Sequence, residues 1–344
     1  MNTHATPIHR SFLFLFLAMI AVICVCDRTH ADEASTDKFR WVDTSGKFME
    51  LLHGDRPVLR YMYRGLDDSS PQARYETYKV FHHLYDPSGK LLLTNGPTGD
   101  APFSKDVLYQ HHRGIFYGFT RITYGDGKQA NLWGCGGGES QRHVKLLDSG
   151  ADSSRGWHRV AIDWCGRDGE VFAKEERQLT VHAATGGTLV EFESTLTSAT
   201  GGTVHLDGDP QHAGFQFRAA DEVAKKTKDK TYYLRTDGKG EQGKTRNWSE
   251  KNSNSPIGEE CTNRPWNAMS FVLGGKRYTA LYVDHPDNPK PGRYSERDYG
   301  RFGSYFVFDL TPDKPLVVRY RIWLQEGEMT VSGCKRIVAD FGGG

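Results

Sequence analysis

An all-β fold, a large antiparallel β-sandwich with few or no long helices, is predicted for this chain on three observations. The apolar runs are short and alternate with polar residues, which is the period of a strand with one buried face. Gly, Asp, Asn and Pro separate them at spacings that suit antiparallel turns, and glycine alone accounts for 38 residues. No stretch shows the apolar period of a long amphipathic helix.

The first 31 of the 344 residues stand apart. His9 and Arg10 precede an apolar run over 12–26, followed by polar residues and Ala31, the order of a secretory signal peptide, with cleavage expected after Ala31. The run is shorter than the ~20 residues of a membrane span, and no second apolar stretch approaches that length, so an exported chain without a spanning helix is expected. Cys24 and Cys26 lack the small-residue lead-in for lipid attachment, which makes a lipoprotein the lesser alternative. Residues 32–344 then form a single β-sandwich domain. The chain's 44 Lys and Arg balance 43 Asp and Glu, so neither nucleic acid nor an anionic membrane is the expected partner. Cys135, Cys165, Cys261 and Cys334 follow the leader; three pairings or none are open, and no two have the close spacing of a zinc site.

Strands are predicted over 47–52, 58–63 and 78–85, the last closed by a Pro- and Gly-bearing turn at 86–89. A strand over 91–94 stops at Asn95-Gly96-Pro97. In the segment 109–119, strand geometry puts His111 and Arg113 on one face and His112 on the other, unless a bend at Gly114 turns both histidines to one ligand. A histidine bonded to backbone and an ion-paired Arg113 are the plainer alternatives. Trp133 precedes a glycine-rich loop over 134–138 that leads to His143. Strands follow over 157–164, 171–184 and 189–196, the second carrying Glu176, a carboxylate candidate that could equally be a wet strand face.

The densest stretch is 207–220. A strand after Pro210 places Ala213, Phe215, Phe217 and Ala219 on a core face, and His212, Gly214, Gln216 and Arg218 on the other, beside Asp209. The glycine leaves room for a ligand against the backbone; a solvated face with a satisfied histidine is the competing reading. Residues 221–260, rich in Lys, Thr, Gly, Asn and Ser, are expected to form a long surface excursion. Strands resume over 268–273 and 278–283. The proline-rigid loop 284–292 carries His285 and Asn288, and Arg297 and Arg301 follow; a site loop and a strand crossover whose arginines cap carbonyls both fit. Runs over 305–310 and 316–324 complete the sandwich.

Five motifs, HHRG at 111–114, QRH at 141–143, DPQHAGFQFR at 209–218, DHPDNP at 284–289 and RDYGRF at 297–302, together resemble a family of exported bacterial proteins of unknown function labelled methane oxygenase PmoA. The resemblance implies a β-supersandwich of the galactose-mutarotase kind and, by analogy of fold, sugar chemistry. A membrane methane oxygenase subunit needs spanning helices, so methane oxidation is set aside.

The leading expectation is a carbohydrate-active exported protein, a sugar isomerase, epimerase, lyase or hydrolase, using acid–base chemistry on a sugar or uronate. Histidine titrates near neutrality without any shift, so His212 and His111 are the acid and base candidates, with Glu176 as carboxylate partner. His112, Arg113, His143, Asp209, Gln216, Arg218, His285, Asn288, Arg297 and Arg301 are the expected substrate contacts, the arginines neutralising a carboxylate or a developing oxyanion. No cofactor is expected. The alternatives are a non-catalytic glycan-binding protein and a metalloprotein with a divalent ion on His111, His112, His212 and His285, ligands that distant strands would have to bring together.

Overall fold

The computed structural model describes residues 1–2, 38–209, 212–248, 259–339 and 341. The chain divides into two compact units, Met1–Thr36 and Asp37–Gly344, and all described secondary structure belongs to the second. Apart from its first two residues, the predicted leader lies outside the described residues. No helix among the described residues is long and apolar enough to cross a membrane.

Three antiparallel sheets make up the fold. The front sheet has eight strands in the order Phe39–Thr44, Phe48–His53, Arg56–Met62, Phe81–Leu84, Ile115–Phe119, Ala213–Arg218, Arg301–Tyr305 and Arg293–Arg297. The back sheet has nine, running Gly238–Lys239, Tyr232–Arg235, Trp266–Leu273, Lys276–Asp284, Leu316–Glu326, Gly187–Ser198, Val171–Ala184, Arg155–Cys165 and Ser140–Ala151. A four-stranded sheet of Phe308–Leu310, Val204–Asp207, Arg121–Tyr124 and Lys128–Ala130 completes it.

The core fills the space between front and back sheets. Phe215 of the front sheet packs on Phe192 and Tyr320 of the back sheet, at ring-centroid distances of 4.3 and 4.6 Å. Phe217 meets Phe271 at 6.2 Å, and Tyr117 meets Trp164 at 5.5 Å. These are the inward positions of a period-two strand, as the alternation from 213 to 219 predicts. The opposite face of strand Ala213–Arg218 is also buried, because loops cover the outside of the front sheet. Phe48, Met62, Phe81, Phe116 and Trp133 form a separate apolar cluster under that cover.

An ion pair lies inside the sandwich. Glu175 and Arg177 have fully buried side chains and share two bonds of 2.7 and 2.9 Å. Trp164 Nε1 and Ser194 Oγ donate to the same carboxylate at 2.7 and 2.8 Å. Four donors offset much of the cost of burying that charge. Four histidines are wholly buried as well: His82, His83, His112 and His158. His82 and His158 face each other at 3.0 Å, while His83 Nε2 meets the Pro97 carbonyl and its Nδ1 the Thr94 hydroxyl, both at 2.9 Å.

Several expectations are corrected. The run 78–85 yields only the strand Phe81–Leu84, because Tyr78 closes a short helix, Pro71–Thr77, capped by Ser70. Residues 109–114 turn instead of extending, and the strand starts at Ile115. Residues 91–94 pair only through isolated bridges, and 305–310 splits between two sheets. The supposed surface excursion 221–260 contains the buried strand Tyr232–Arg235, whose short apolar run was masked by polar flanks. Strands Phe39–Thr44 and Ser140–Ala151 and the helix Val331–Val338 went unanticipated. All four cysteines of the described chain are buried and unpaired.

Burial pushes His83 down to about 4 and His158 to about 3 from their ordinary 6.5. Below pH 6.5 the unfolded chain takes up protons that the folded chain refuses, so stability is present above that pH and lost as it falls. Between pH 6.5 and 5 each such histidine should remove ~2 kcal/mol, read as a falling urea midpoint, and His83→Gln should reduce the proton uptake on unfolding by about one. An equal acid slope in that variant would contradict the burial of a neutral His83. Glu175→Gln should cost ~3–5 kcal/mol by stranding Arg177, and Glu175→Leu with Arg177→Met less than the two single changes summed, in denaturant titrations.

Candidate functional site

The outer face of the front sheet gathers an imidazole and guanidinium cluster. The turn that delivers two of its histidines depends on Gly114, whose φ is +43° and at which a Cβ would lie 2.0 Å from the His82 carbonyl oxygen. Only glycine lets the chain pass so close. Asn95 stabilises the turn by accepting at its carbonyl from Gly114 N at 2.7 Å and donating Nδ2 to the His112 carbonyl at 2.9 Å. Lys79, buried beneath, donates its ammonium to the carbonyls of both His111 and Trp133, tying the histidine turn to the glycine-rich loop.

His112 is the centre of the cluster. Its ring lies 4.1 Å from His111, 5.3 Å from Trp133, 5.9 Å from His212 and 6.1 Å from Tyr299, centroid to centroid. Neither of its nitrogens has a hydrogen-bond partner, nor has Trp133 Nε1, and all three atoms are buried. Burial, with the charge of Arg301 added, holds His112 well below the usual imidazole range. His111, half-buried, is pushed down to about 3 by burial and by Lys79.

His212 is half-buried, and its Nδ1 meets the two oxygens of Asp209 at 2.8 and 3.0 Å. Thr120 fixes both residues, donating to the His212 carbonyl at 2.8 Å and accepting from Asp209 N at 3.0 Å. Arg301 is buried, with its guanidinium 5.4 Å from the centre of the Trp133 ring. It donates to Gln216 Oε1 at 2.8 Å, Ser295 Oγ at 3.1 Å and Tyr299 OH at 3.2 Å. Gln216 is oriented by its own bond to the Ala213 carbonyl at 3.0 Å. Arg297 faces Arg301 across the hairpin, and burial with that like charge lowers its affinity for a proton.

Arg218 holds the loops around this cluster. It donates to the Tyr299 carbonyl, lies 3.6 Å from Asp221, and sits 5.3 Å over the Tyr299 ring. Burial pulls its guanidinium down to about 10. Tyr299 in turn stacks on Tyr109 at 4.4 Å. Tyr109 is 48% exposed and has a left-handed φ of +53°, a strained setting for a bulky residue.

His111, His112, Asp209, His212, Gln216, Arg218, Arg297 and Arg301 therefore come together, and five predicted residues do not join them. Glu176 points to solvent from the outer face of the back sheet, paired with Arg159 at 3.3 Å; its neighbour Glu175 is the inward carboxylate. Arg113 packs 4.1 Å over Tyr78 and caps the carbonyls of Tyr75 and Glu76 at the end of helix Pro71–Thr77. His143 meets Tyr61 OH at 3.2 Å. His285 packs against Phe341 at 5.0 Å, and Asn288 bonds both backbone groups of Arg319, at 2.7 and 2.8 Å. Gly214 leaves no ligand space either: a Cβ there would sit 2.0 Å from the Ser304 carbonyl oxygen of the next strand.

Lys79, Asn95, Thr120, Trp133, Ser295 and Tyr299 were not among the expected site residues. Tyr299 lies within the RDYGRF motif and Trp133 borders the glycine run, so both were within reach of the pattern. Among the described residues no three His, Cys, Asp or Glu side chains are placed to hold a metal ion. Surface hollows of about 490 and 500 Å³ open elsewhere, one beside His53 and Val181, the other beside Arg121 and His205. Three buried polar atoms without partners lie at His112 and Trp133, others are spread through the interior, and none belongs to a residue lining those hollows.

Fold and cluster define a large antiparallel β-sandwich with a polar site on the outer face of one sheet. The chain belongs to the family of unknown function DUF6807, matched over residues 48–339. No curated protein matches it in sequence. Among solved structures it is similar to the GH36 α-galactosidase AgaB from Geobacillus stearothermophilus, with a TM-score of 0.42 and 9% identity over 86% of this chain and 42% of that one. It is also similar to a galactose mutarotase related enzyme from Lactobacillus acidophilus, with a TM-score of 0.37 and 8% identity over 85% and 98% of the two chains. For a GalM/aldose epimerase homologue from C. elegans the values are 0.36, 9%, 84% and 99%. The chain thus spans less than half the length of the α-galactosidase.

Burial pulls Lys79 down to about 7 from its ordinary 10.5. Between those values the unfolded chain binds one proton more than the folded chain, so stability should rise with pH across that window. Lys79→Met should flatten the rise by up to ~1.4 kcal/mol per pH unit, measured as urea stability at pH 7, 8 and 9. An unchanged profile would show that the ammonium does not titrate in its buried position.

Proposed function

We propose that this chain is an exported carbohydrate-active protein that moves protons on a sugar or uronate at the His111, His112 and His212 cluster. The Asp209–His212 pair carries the reading. A carboxylate only accepts, so His212 Nδ1 is the protonated nitrogen and its Nε2, turned away from Asp209, is the basic one. That is the arrangement of an oriented imidazole acting as general base and then as acid. His111, kept neutral by burial and by Lys79, supplies a ring N–H to an oxygen that gains charge during the reaction.

The expected partner role of Glu176 passes to Asp209. With Glu176 on the far sheet, the described cluster has no pair of free carboxylates flanking one bond, the usual equipment for glycoside hydrolysis. Isomerase, epimerase or lyase chemistry fits the residues better. The exposed, strained Tyr109 stacked on Tyr299 favours a second reading, a sugar platform without catalysis. Export is supported by the basic and apolar order of residues 9–26.

A panel of sugars, uronates and oligosaccharides, followed by NMR for isomerisation or elimination, tests the reading. Wild-type protein should turn over at least one member, and His212→Ala should lower turnover at least ~100-fold while the urea midpoint stays near wild type. Full activity in His212→Ala removes that residue from the mechanism, and binding without turnover by wild type selects the platform reading.

A further inference from the structure

We infer that the ligand of this cluster is the acid form of a sugar, its carboxylate seated against Arg301 beneath the histidines. This rests on the cluster being the sugar site and goes beyond it by choosing the anionic substrate over the neutral one.

The first support is a charge imbalance. Arg301 is fully buried, yet its three hydrogen bonds go to neutral oxygens, those of Gln216, Ser295 and Tyr299. No carboxylate among the described residues ion-pairs with it. Several other buried or half-buried arginines of the chain have a counter-charge: Arg177 has Glu175 at 2.7 Å, Arg60 has Glu50 at 2.9 Å and Arg218 has Asp221 at 3.6 Å, while Arg113, buried without one, is spent on the Tyr75 and Glu76 carbonyls at a helix end. A buried cation without an anion is costly, and a bound anion removes that cost.

A second support is the count of unused donors. A guanidinium has five N–H groups, and Arg301 uses one on each nitrogen, which leaves one on each Nη. Two parallel N–H groups are what a carboxylate takes in a forked bond. Beside them lie Trp133 Nε1 and the ring nitrogens of His112, buried and without partners. Trp133 contacts Arg301, His112 and His212 alike, so these groups surround one indole ring. One nitrogen of the neutral His112 accepts, yet donors still outnumber acceptors there, because Gln216 Oε1 is taken by Arg301 and Asp209 by His212. Arg297, half-buried on the paired strand and without a carboxylate partner among the described residues, adds a second positive charge.

The approach runs past His212, with 32% of its side chain exposed, and Tyr109, 48% exposed. A sugar ring against Tyr109 and Tyr299 with its acid group inward would bring the carbon next to the carboxylate under His212. A carboxylate acidifies that carbon's proton, which ties the anion site to the acid–base reading.

Isothermal titration with matched pairs, glucose and glucuronate, galactose and galacturonate, and mannose and mannuronate, tests the inference, with the corresponding sugar 6-phosphates and 6-sulfates as further arms. At least one uronate should bind ten-fold or more tighter than its neutral partner, and the preference should fall toward one in Arg301→Gln. Arg297→Gln, at a less buried position, should lower the preference without abolishing it, and serves if Arg301→Gln does not fold. Equal binding of neutral and acid sugars would overturn the inference while leaving the sugar site standing. Preference for a 6-phosphate or 6-sulfate over every uronate would overturn the carboxylate assignment, and a uronate preference that survives both variants would overturn the seat at Arg301. No binding of any sugar would overturn both this inference and the reading on which it rests.

Discussion

A strand buried on both faces governs this protein. Every residue from Ala213 to Arg218 is buried, although alternate side chains are polar. The inward phenylalanines join the sandwich core, but Gln216 and Arg218 must find hydrogen bonds without water, since an unmet buried polar group costs ~1–3 kcal/mol. The loops over the front sheet supply them: the Tyr299 and Leu108 carbonyls receive Arg218, and Gln216 bonds Arg301 and the Ala213 carbonyl. The polar face of one strand thereby ties together two loops from distant parts of the chain, those of Leu108 and Tyr299.

Buried cations serve as fasteners throughout. Lys79 joins the carbonyls of His111 and Trp133, Arg113 closes the helix Pro71–Thr77, and Arg218 joins the loops of Leu108 and Tyr299. A side chain with several donors suits this task, because loop carbonyls without a sheet partner need donors and water is excluded. Arg301 stands apart from these. Its partners are the side-chain oxygens of Gln216, Ser295 and Tyr299, and its guanidinium lies 5.4 Å from the ring of Trp133, whose Nε1 is unpaired. That contrast separates residues that hold the cover in place from those of the proposed site.

Motif membership was a good guide to which segments meet and a poor guide to which side chain does the meeting. HHRG contributes His111 and His112 to the cluster, whereas its arginine turns away to cap a helix. RDYGRF contributes Arg297, Tyr299 and Arg301. DHPDNP does not reach the cluster: Asn288 holds the backbone of Arg319, and His285 lies on Phe341. Glu176 illustrates the limit of period-two reasoning, since alternation identifies two faces without saying which is wet, and the inward carboxylate is Glu175. Asn95, Thr120 and Lys79 carried no local signal, because their partners are separated from them in sequence and meet them only through strand pairing.

What the amino-acid order determined alone is local: the β class, most strand positions, the turn residues, and the division of residues 213–219 into aromatic and polar faces. These follow from side-chain period and backbone dihedral preference, which act over a few residues. Which polar face would be covered, which carboxylate would turn inward, and which imidazoles would share a centre were decided by the stacking of the sheets and the folding of loops across the front one. Those outcomes depend on contacts between residues far apart in the chain, and burial, the quantity that turns a polar side chain into a site, exists only after such contacts have formed.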